Sequence, residues 1–198
     1  MNAFIALEKY IVKEEKDFGV GVPVSFNEEI AKYESTRKKG VQSYNNWMLI
    51  EIPGTSFFLD VQKPLNEQSD DVLNALMSRD AIMSIFIHEA RILYKKMDSL
   101  ISGKNPKEES EHLFKEFVDE KYNFLLKFQS GFDFFNFINS KCISHDKSKS
   151  SALLYNIGIK GCHYNDDSGE RLLMFNAKKD INPIEYRKSI LSDSKLNL

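Results

Sequence analysis

Helical periodicity in the middle of the chain most strongly limits the fold. From Arg79 to Leu100, apolar residues recur every three or four positions, which predicts a long amphipathic helix. Ser102-Gly103 ends this helix, and Asn105-Pro106 opens another, since proline is tolerated at the first helical position. The apolar stripe then continues to about Gln129. Residues 79–129 are therefore expected to form a hairpin of two long helices.

Strand-like segments lie on both sides of this helical region. They are Ala3–Val12, Trp47–Ile52 and Ser56–Val61 towards the N-terminus, and Cys162–Tyr164 and Leu172–Phe175 towards the C-terminus. Since helices fill the middle and strands fill both ends, the sequence predicts an α+β fold whose sheet is built from distant parts of the chain. With 198 residues, one well-buried core is expected, so residues 1–198 are interpreted as a single domain.

Shorter helices are predicted from their capping and stop signals. They are a helix from Glu28 to about Tyr33 after Ser25 or Asn27, a helix after Ser69, the aromatic segment Gly131–Ile138, and a helix from Asp146 or Ser148 to a stop at Gly158.

The charge balance argues against nucleic acid as the main partner. The chain has 27 basic and 29 acidic side chains, a formal net charge of -2 and a pI near 6.1, whereas proteins that bind phosphates electrostatically carry a basic footprint. No segment approaches the ~20 apolar residues of a membrane span. Glu8 and Lys9 interrupt the N-terminal segment before a signal-peptide apolar region develops. A cytoplasmic protein without a membrane partner is therefore expected.

Cysteine and histidine spacing predicts neither a disulfide framework nor a metal site. Cys142 and Cys162 are too few and too far apart in sequence, and buried thiols are expected instead. His88-Glu89 has the start of a zinc-protease motif, but the second histidine would stand where the chain has Ile92. No metal ligand is assigned.

Three motifs follow one another along the chain. They are FGVGVPVSFNEEIAKY at Phe18–Tyr33, LIEIPGTSFFLDVQKPLNEQSDDVLNAL at Leu49–Leu76, and SGFDFFNFINSKCISHDKSKSSALLYNIGIKGCHYND at Ser130–Asp166. Together they resemble the ADP-ribosyltransferase-like domain of large polyvalent proteins from phages and mobile elements. The C-terminal motif also looks like the end of a phage-encoded anti-CRISPR ADP-ribosyltransferase, which shares a G-x-x-G followed by an acid and a further glycine. The resemblance covers most of the chain apart from residues 79–129, which it makes a helical insertion.

The resemblance implies a fold, a cofactor and site residues. The implied fold is an ADP-ribosyltransferase-like split sheet, and the implied activity is transfer of ADP-ribose from NAD to a host protein. Asp166 falls on the family's acidic position, where a carboxylate would stabilise the positive charge that develops on the ribose as nicotinamide leaves. NAD binding falls on the FGxG motif and the aromatics after it: Gly19, Gly21, Phe26 and Tyr33. Such a site requires Asp166 to face the loop around Gly19 across a cleft.

The chain departs from the family's pattern in the part that grips the cofactor. The family carries a His-Gly pair, or an arginine, on its first strand, whereas residues 4–7 read FIAL here, and Pro23 stands where an aromatic is expected. Asp166 and Asp167 have a second interpretation as ordinary turn residues, because aspartate is favoured in tight turns.

Several functional interpretations therefore remain open. Tyr44, Trp47 and Tyr164 could stack on a base or on nicotinamide, although buried aromatics of this kind are more often core. His163 could donate to a phosphate or simply point outward from a strand. The chain is either a mono-ADP-ribosyltransferase or a protein of the same fold whose cofactor site has decayed and which inhibits a host or rival protein by surface contacts. A structural phage component is the third alternative.

Overall fold

Strands lie towards both ends of the chain and helices between them. A computed structural model describes residues 1–6, 14–17, 19–36, 46–99, 106–141 and 145–188. The strands are β1 (Asn2–Ala6), β2 (Glu14–Lys16), β3 (Gly19–Ser25), β4 (Asn46–Glu51), β5 (Phe58–Asp60), β6 (Gly161–Asp166), β7 (Gly169–Met174) and β8 (Asn182–Lys188). The helices are α1 (Glu28–Thr36), α2 (Asp70–Met77), α3 (Arg79–Ile85), α4 (Ile87–Ser99), α5 (Pro106–Leu125), α6 (Gly131–Lys141), α7 (Lys147–Asn156) and α8 (Ala177–Asp180).

One mixed sheet joins the two ends of the chain. Seven strands follow the order β5-β6-β7-β3-β1-β4-β8, and β2 pairs with β3 beside this path. Only the β5–β6 pair is parallel among the described strands. The C-terminal strands β7 and β8 pair with the N-terminal strands β3 and β4. The predicted α+β class, with a sheet built from distant segments, is therefore confirmed.

Apolar side chains cover both faces of the sheet. On the first face, Leu173 and Phe175 of β7 belong to a core that includes Phe134, Phe135 and Leu154 from α6 and α7. On the second face, Leu172 and Met174 of β7 belong to a separate core together with Ile5, Met48 and Ile181. This alternation along β7 is the period of two that an extended strand imposes. The first face is called the helix-covered face below.

Local signals placed several helix ends correctly. The Ser69 hydroxyl accepts a hydrogen bond from the Val72 N–H and caps α2. Asp146 caps α7 by accepting from the backbone N–H groups of Ser148 and Lys149. Gly158, with φ of 111°, takes the left-handed conformation that ends the helix.

The long helix predicted from Arg79 to Leu100 is wrong in one respect. The structure divides it at Phe86, whose φ of -107° and ψ of 42° leave the helical range, into α3 and α4. Phe86 is flanked by the β-branched residues Ile85 and Ile87, which favour a helix less than unbranched residues do. Apolar spacing alone does not detect such a break, because the stripe resumes in phase after it.

Other boundaries differ from the sequence prediction in smaller ways. α5 stops at Leu125, four residues before Gln129, while α4 and α5 contact each other as a helical pair. The strand β8 and the short strand β2 were not predicted. The predicted first strand is confirmed only over β1, because residues 7–12 lie outside the described segments, as do Ser102-Gly103 and Cys142. Within the described residues, no helix is both long enough and apolar enough to cross a membrane.

Candidate functional site

The β6–β7 hairpin places Asp166 at its turn. Asp166 pairs with Gly169 in the antiparallel register, and Gly169 has φ of 114°, in the left-handed region that favours glycine. The Oδ1 atom of Asp166 accepts a hydrogen bond of 2.9 Å from the Ser168 N–H. An aspartate that binds the backbone two residues ahead is a common turn device. One carboxylate oxygen of the predicted catalytic residue is therefore used by the turn.

The second carboxylate oxygen of Asp166 is engaged by Arg171. The guanidinium Nη1 donates to Asp166 Oδ2 over 3.2 Å, and Nη2 donates to Glu34 Oε1 of α1. Arg171 is only 5% exposed, and the side chain of Glu34 is 13% exposed. One buried cation thus connects the hairpin to α1 and is balanced by two carboxylates.

Sheet register explains why Arg171 reaches this position. Arg171 pairs with Tyr164 on one side and with Ser25 on the other, and Ser25 pairs in turn with Phe4. Because side chains alternate along a strand, Arg171 lies on the same face as Leu173. It therefore points to the helix-covered face, where α1 supplies Glu34.

The protonation of Arg171 follows from its surroundings. Burial by itself would lower the pKa of the guanidinium. The hydrogen bond and negative charge of Glu34, with smaller electrostatic contributions from Tyr164 and Asp166, outweigh burial and raise the pKa. Arg171 therefore carries a fixed positive charge beside Asp166. Its Nε atom is buried and makes no hydrogen bond within the described part of the chain.

Two of the predicted cofactor-binding residues lie near the hairpin turn in the fold. Phe26 directly follows Ser25, the β3 partner of Arg171, and it packs at the margin of the second core. Tyr33 precedes Glu34 on α1 and is 62% exposed. These two aromatics therefore lie towards the same end of the sheet as Asp166.

The two predicted cofactor-binding glycines lie towards the other end of the sheet. Val22 pairs with Met174, so Gly19 and Gly21 extend β3 away from the hairpin turn. Gly169, beside Asp166, and Phe175, beside Gly19, are six strand residues apart, which corresponds to roughly 20 Å. The expectation that Asp166 faces the loop around Gly19 is therefore wrong, because the antiparallel register separates them. Phe18 of the same motif lies outside the described residues.

Packing accounts for both glycines without a ligand. A Cβ atom on Gly21 would lie 2.4 Å from the carbonyl oxygen of Met174. A Cβ atom on Gly19 would lie 2.8 Å from the ring of Phe175, and its φ of 140° is strained for other residues. Close strand contact therefore requires glycine at these positions.

The aromatic residues that could stack on a cofactor are also used by the core. The indole N–H of Trp47 donates to Glu28 Oε1 over 2.9 Å, and Arg187 donates to the same oxygen. The Arg187 hydrogen bond, followed by that of Trp47, holds the pKa of Glu28 below its usual value of 4.5. Tyr164 is 4% exposed within the first core. Tyr44 lies outside the described residues.

His163 lies between two carboxylates on the second face of the sheet. Its Nε2 atom is 2.8 Å from Glu170 Oε1, and its Nδ1 atom is 3.5 Å from Asp60 Oδ2. Lys63 approaches the same Asp60 oxygen at 3.6 Å. Gln68 fixes the segment by accepting from the Asp60 N–H and donating to the Asp60 and Lys63 carbonyls. These groups line a polar pocket of about 330 Å³ but satisfy one another.

The sequence predictions do not include Arg171 and Glu34, although Arg171 binds Asp166 directly. A signal was present in the strand GERLLM, because period-two alternation puts Arg171 on the inward side with Leu173. A charged residue on an inward side must have a partner. The partner Glu34 is 137 residues away in sequence, so no local pattern identifies it.

A scan against protein-family models found no match, and searches of the curated proteins and of the solved structures found no significant match. The fold and the site define an α+β protein with a mixed sheet and a charge cluster in which the buried Arg171 binds Glu34 and Asp166.

Proposed function

We propose that this chain is a phage- or mobile-element-type effector with an ADP-ribosyltransferase-like fold that inhibits a host or rival protein by binding it, without chemistry. The observation that carries this proposal is the engagement of both Asp166 oxygens, by the Ser168 N–H and by Arg171. The three sequence motifs support the fold and the phage-type setting. The proposed place of action is the host cytoplasm.

The charge of Arg171 argues against catalysis by Asp166. As nicotinamide leaves NAD, positive charge develops on the ribose, and a free carboxylate would stabilise it. Arg171 places a fixed cation 3.2 Å from that carboxylate. The cation therefore opposes the transition state that Asp166 would have to stabilise.

The missing cofactor contacts support the same proposal. Phe4 of β1 pairs with Ser25, which pairs in turn with Arg171. The enzymes that the motifs resemble carry a histidine or an arginine on their first strand to hold the ribose, whereas β1 has no such residue. The two glycines of the FGxG motif lie towards the opposite end of β3. A bound NAD would have to be held without either contact.

A second candidate is transfer of ADP-ribose from NAD to a host protein through Asp166. One observation favours it, since the Asp166 side chain keeps 33% of its surface exposed at the end of the sheet that also carries Tyr33, an exposed aromatic on α1. This activity requires Arg171 to release Asp166 when NAD or the target binds.

Labelled NAD distinguishes the two functions. The purified protein is incubated with labelled NAD and host lysate, in parallel with Asp166→Ala and with the matched control Asp167→Ala, which removes an adjacent acid. We expect no label on any lysate protein and no thermal shift at millimolar NAD. We also expect the wild type and both variants to retain the same host protein, and each of them to bind that host protein directly once it is purified. Label transfer that Asp166→Ala abolishes and Asp167→Ala preserves would establish the transferase instead.

A further inference from the structure

A groove runs between α7 and the segment that joins β7 to α8. It encloses about 380 Å³, within the range of small-molecule sites. We call it the α7 groove and define it by its lining: Val20, Ser148, Ser151, Ala152, Tyr155, Asn156, Phe175, Asn176 and Lys179. It lies beside Gly19 and therefore towards the end of the sheet away from Asp166.

The long wall of the groove is one face of a helix. Ser148, Ser151, Ala152 and Tyr155 follow the spacing of three and four residues that lines up side chains along an α-helix. From Ser148 to Asn156 the wall extends about 12 Å, at about 1.5 Å per residue. The Ser151 hydroxyl accepts the Val20 N–H at 2.9 Å and ties α7 to β3. The wall is therefore held against the sheet, and the groove is part of the folded structure.

Four polar side chains in the groove have no hydrogen-bond or ion-pair partner in the described part of the chain. Lys179, Asn156, Asn176 and the Ser148 hydroxyl line the cavity, and none of them hydrogen-bonds or ion-pairs with another described side chain. Asn176 precedes α8 without capping it through its side chain. The pocket around His163 is different, because its polar side chains contact one another. Uncommitted donors in a formed cavity are what a polar ligand requires.

The charge in the groove is concentrated at one end. The Lys179 ammonium lies 5.8 Å from the centre of the ring of Tyr155, which stands in the last turn of α7. Lys160 lies over the same ring at 4.5 Å, and Asp180 balances it at 3.5 Å. Lys179 is therefore the uncompensated charge among the lining residues, and the lining at the Ser148 end is uncharged.

We propose that the α7 groove binds a small phosphate monoester. Lys179, Asn176 and Asn156 bind the phosphate, since an ammonium is a common phosphate ligand and amide N–H groups complete its hydrogen bonds. The uncharged, hydroxyl-bearing body of the ligand lies along α7 towards Ser148. The wall of about 12 Å is longer than a free phosphate requires and fits a sugar phosphate or a nucleoside monophosphate. This inference does not depend on the proposed function, because it involves neither Asp166 nor Arg171.

Titration with ribose 5-phosphate and adenosine monophosphate tests the proposal, and ribose and adenosine serve as uncharged controls. Binding is measured by calorimetry and by amide chemical shifts of the complete chain. We expect saturable binding of at least one of the two phosphates at micromolar to millimolar concentration, shifts at Ser148, Asn156 and Asn176, and no binding of the uncharged controls. Lys179→Gln removes the charge but keeps an amide, and it should weaken binding about tenfold or more.

Two further variants keep the test decisive. Lys178→Gln removes the neighbouring exposed charge outside the groove, and it should leave the affinity unchanged. Ala152→Leu fills the groove from the α7 wall without changing charge, and it should abolish binding. Equal losses for Lys178→Gln and Lys179→Gln would identify non-specific attraction and overturn the proposal. Absence of saturable binding to both phosphates, or full binding by Ala152→Leu, would overturn it as well.

Discussion

The polar side chains at the two ends of the β3–β7 strand pair differ in whether they bind one another. At the hairpin end, Asp166, Arg171 and Glu34 bind one another, and little charge remains for a ligand. At the Gly19 end, Lys179 and its amide and hydroxyl neighbours line a groove without binding one another. The residues that the motifs single out as reactive are thus used by the fold. The binding that we propose for the α7 groove falls on residues that the resemblance leaves without a role, although Ser148, Ser151 and Asn156 lie within the third motif.

The hairpin end also illustrates what a buried charge requires. A guanidinium that is almost fully buried is stable there only because two carboxylates face it. Lys179, in contrast, is exposed to solvent and needs no partner. A buried charge with partners indicates a structural role, whereas an exposed and uncommitted charge in a concave site indicates recognition.

Replacing the buried arginine should have the largest effect. Arg171→Met keeps the length of the side chain but leaves Glu34 and Asp166 without their cation. Breaking a buried ion pair from one side costs about 3 to 5 kcal/mol, and we expect a loss of that size in the free energy of unfolding, measured by denaturant titration.

Two variants control this measurement. Adding Glu34→Gln to Arg171→Met removes one uncompensated charge and should restore part of the loss. Arg187→Met removes an arginine from the same face that is 31% exposed, and it should lose clearly less. Equal losses for the two arginine variants would show that burial does not distinguish them.

Gly21 provides the second test, at the opposite end of β3. Gly21→Ala would place a methyl group 2.4 Å from the Met174 carbonyl oxygen, and the strands would have to separate. We expect a loss of about 2 to 3 kcal/mol in unfolding free energy. Gly54→Ala is the control, because its nearest contact would be 3.6 Å and its φ is -58°, so a change within about 0.5 kcal/mol is expected. A tolerated Gly21→Ala would reopen a ligand-binding role for this glycine.

The serine that ties α7 to β3 provides the third test. Ser151→Ala removes the acceptor of the Val20 N–H, in a residue that is 3% exposed. A partly buried N–H group without its acceptor costs about 1 to 2 kcal/mol, which thermal unfolding would resolve. Ser148→Ala, on the same helix face, removes a hydroxyl without a partner in the described residues and should change stability by less than about 0.5 kcal/mol. If both variants lose equally, the Ser151 contact does not hold the groove wall.

Local parts of the fold could be read from the sequence, and long-range parts could not. Ser69, Asp146 and Gly158 act within a few residues of their own position, so their capping and stop roles are visible in the sequence. The pairing of β7 with β3 joins residues about 150 positions apart. β8 was missed because Pro183 and alternating charges weaken its strand pattern, and pairing with β4 at the sheet edge overrides this.

The candidate site shows the same limit. The prediction from the sequence that Asp166 lies at a turn is correct. The contacts of Arg171 with Asp166 and Glu34 could not be predicted in the same way, because they depend on the tertiary structure. The FGxG glycines suggested approach to a cofactor, and the strand register instead directs their missing side chains against Phe175 and Met174. Function read from a motif depends on which residues the tertiary structure places around it.

The smallest effect on the unfolding free energy is expected at the ion pair of Arg187 and Glu28, which is more exposed than the Arg171 cluster. Arg187 and Trp47 lower the pKa of Glu28 below 4.5. A carboxyl group with a lowered folded pKa stabilises the protein above its unfolded pKa, and this contribution is lost as the pH falls through the folded value.

Glu28 is about one-third exposed, so solvent screening limits the contribution to about 1 kcal/mol or less. The difference in unfolding free energy between wild type and Glu28→Gln should therefore be small at neutral pH and should be lost as the pH falls from the usual carboxyl range through the lowered pKa of Glu28. Glu29→Gln is the matched control, because its carboxylate is 76% exposed, and it should change the unfolding free energy at neutral pH by less than Glu28→Gln does. A difference that persists in acid would mean that Glu28 acts through packing, so the Arg187 pair would not be the exposed electrostatic counterpart of the Arg171 cluster.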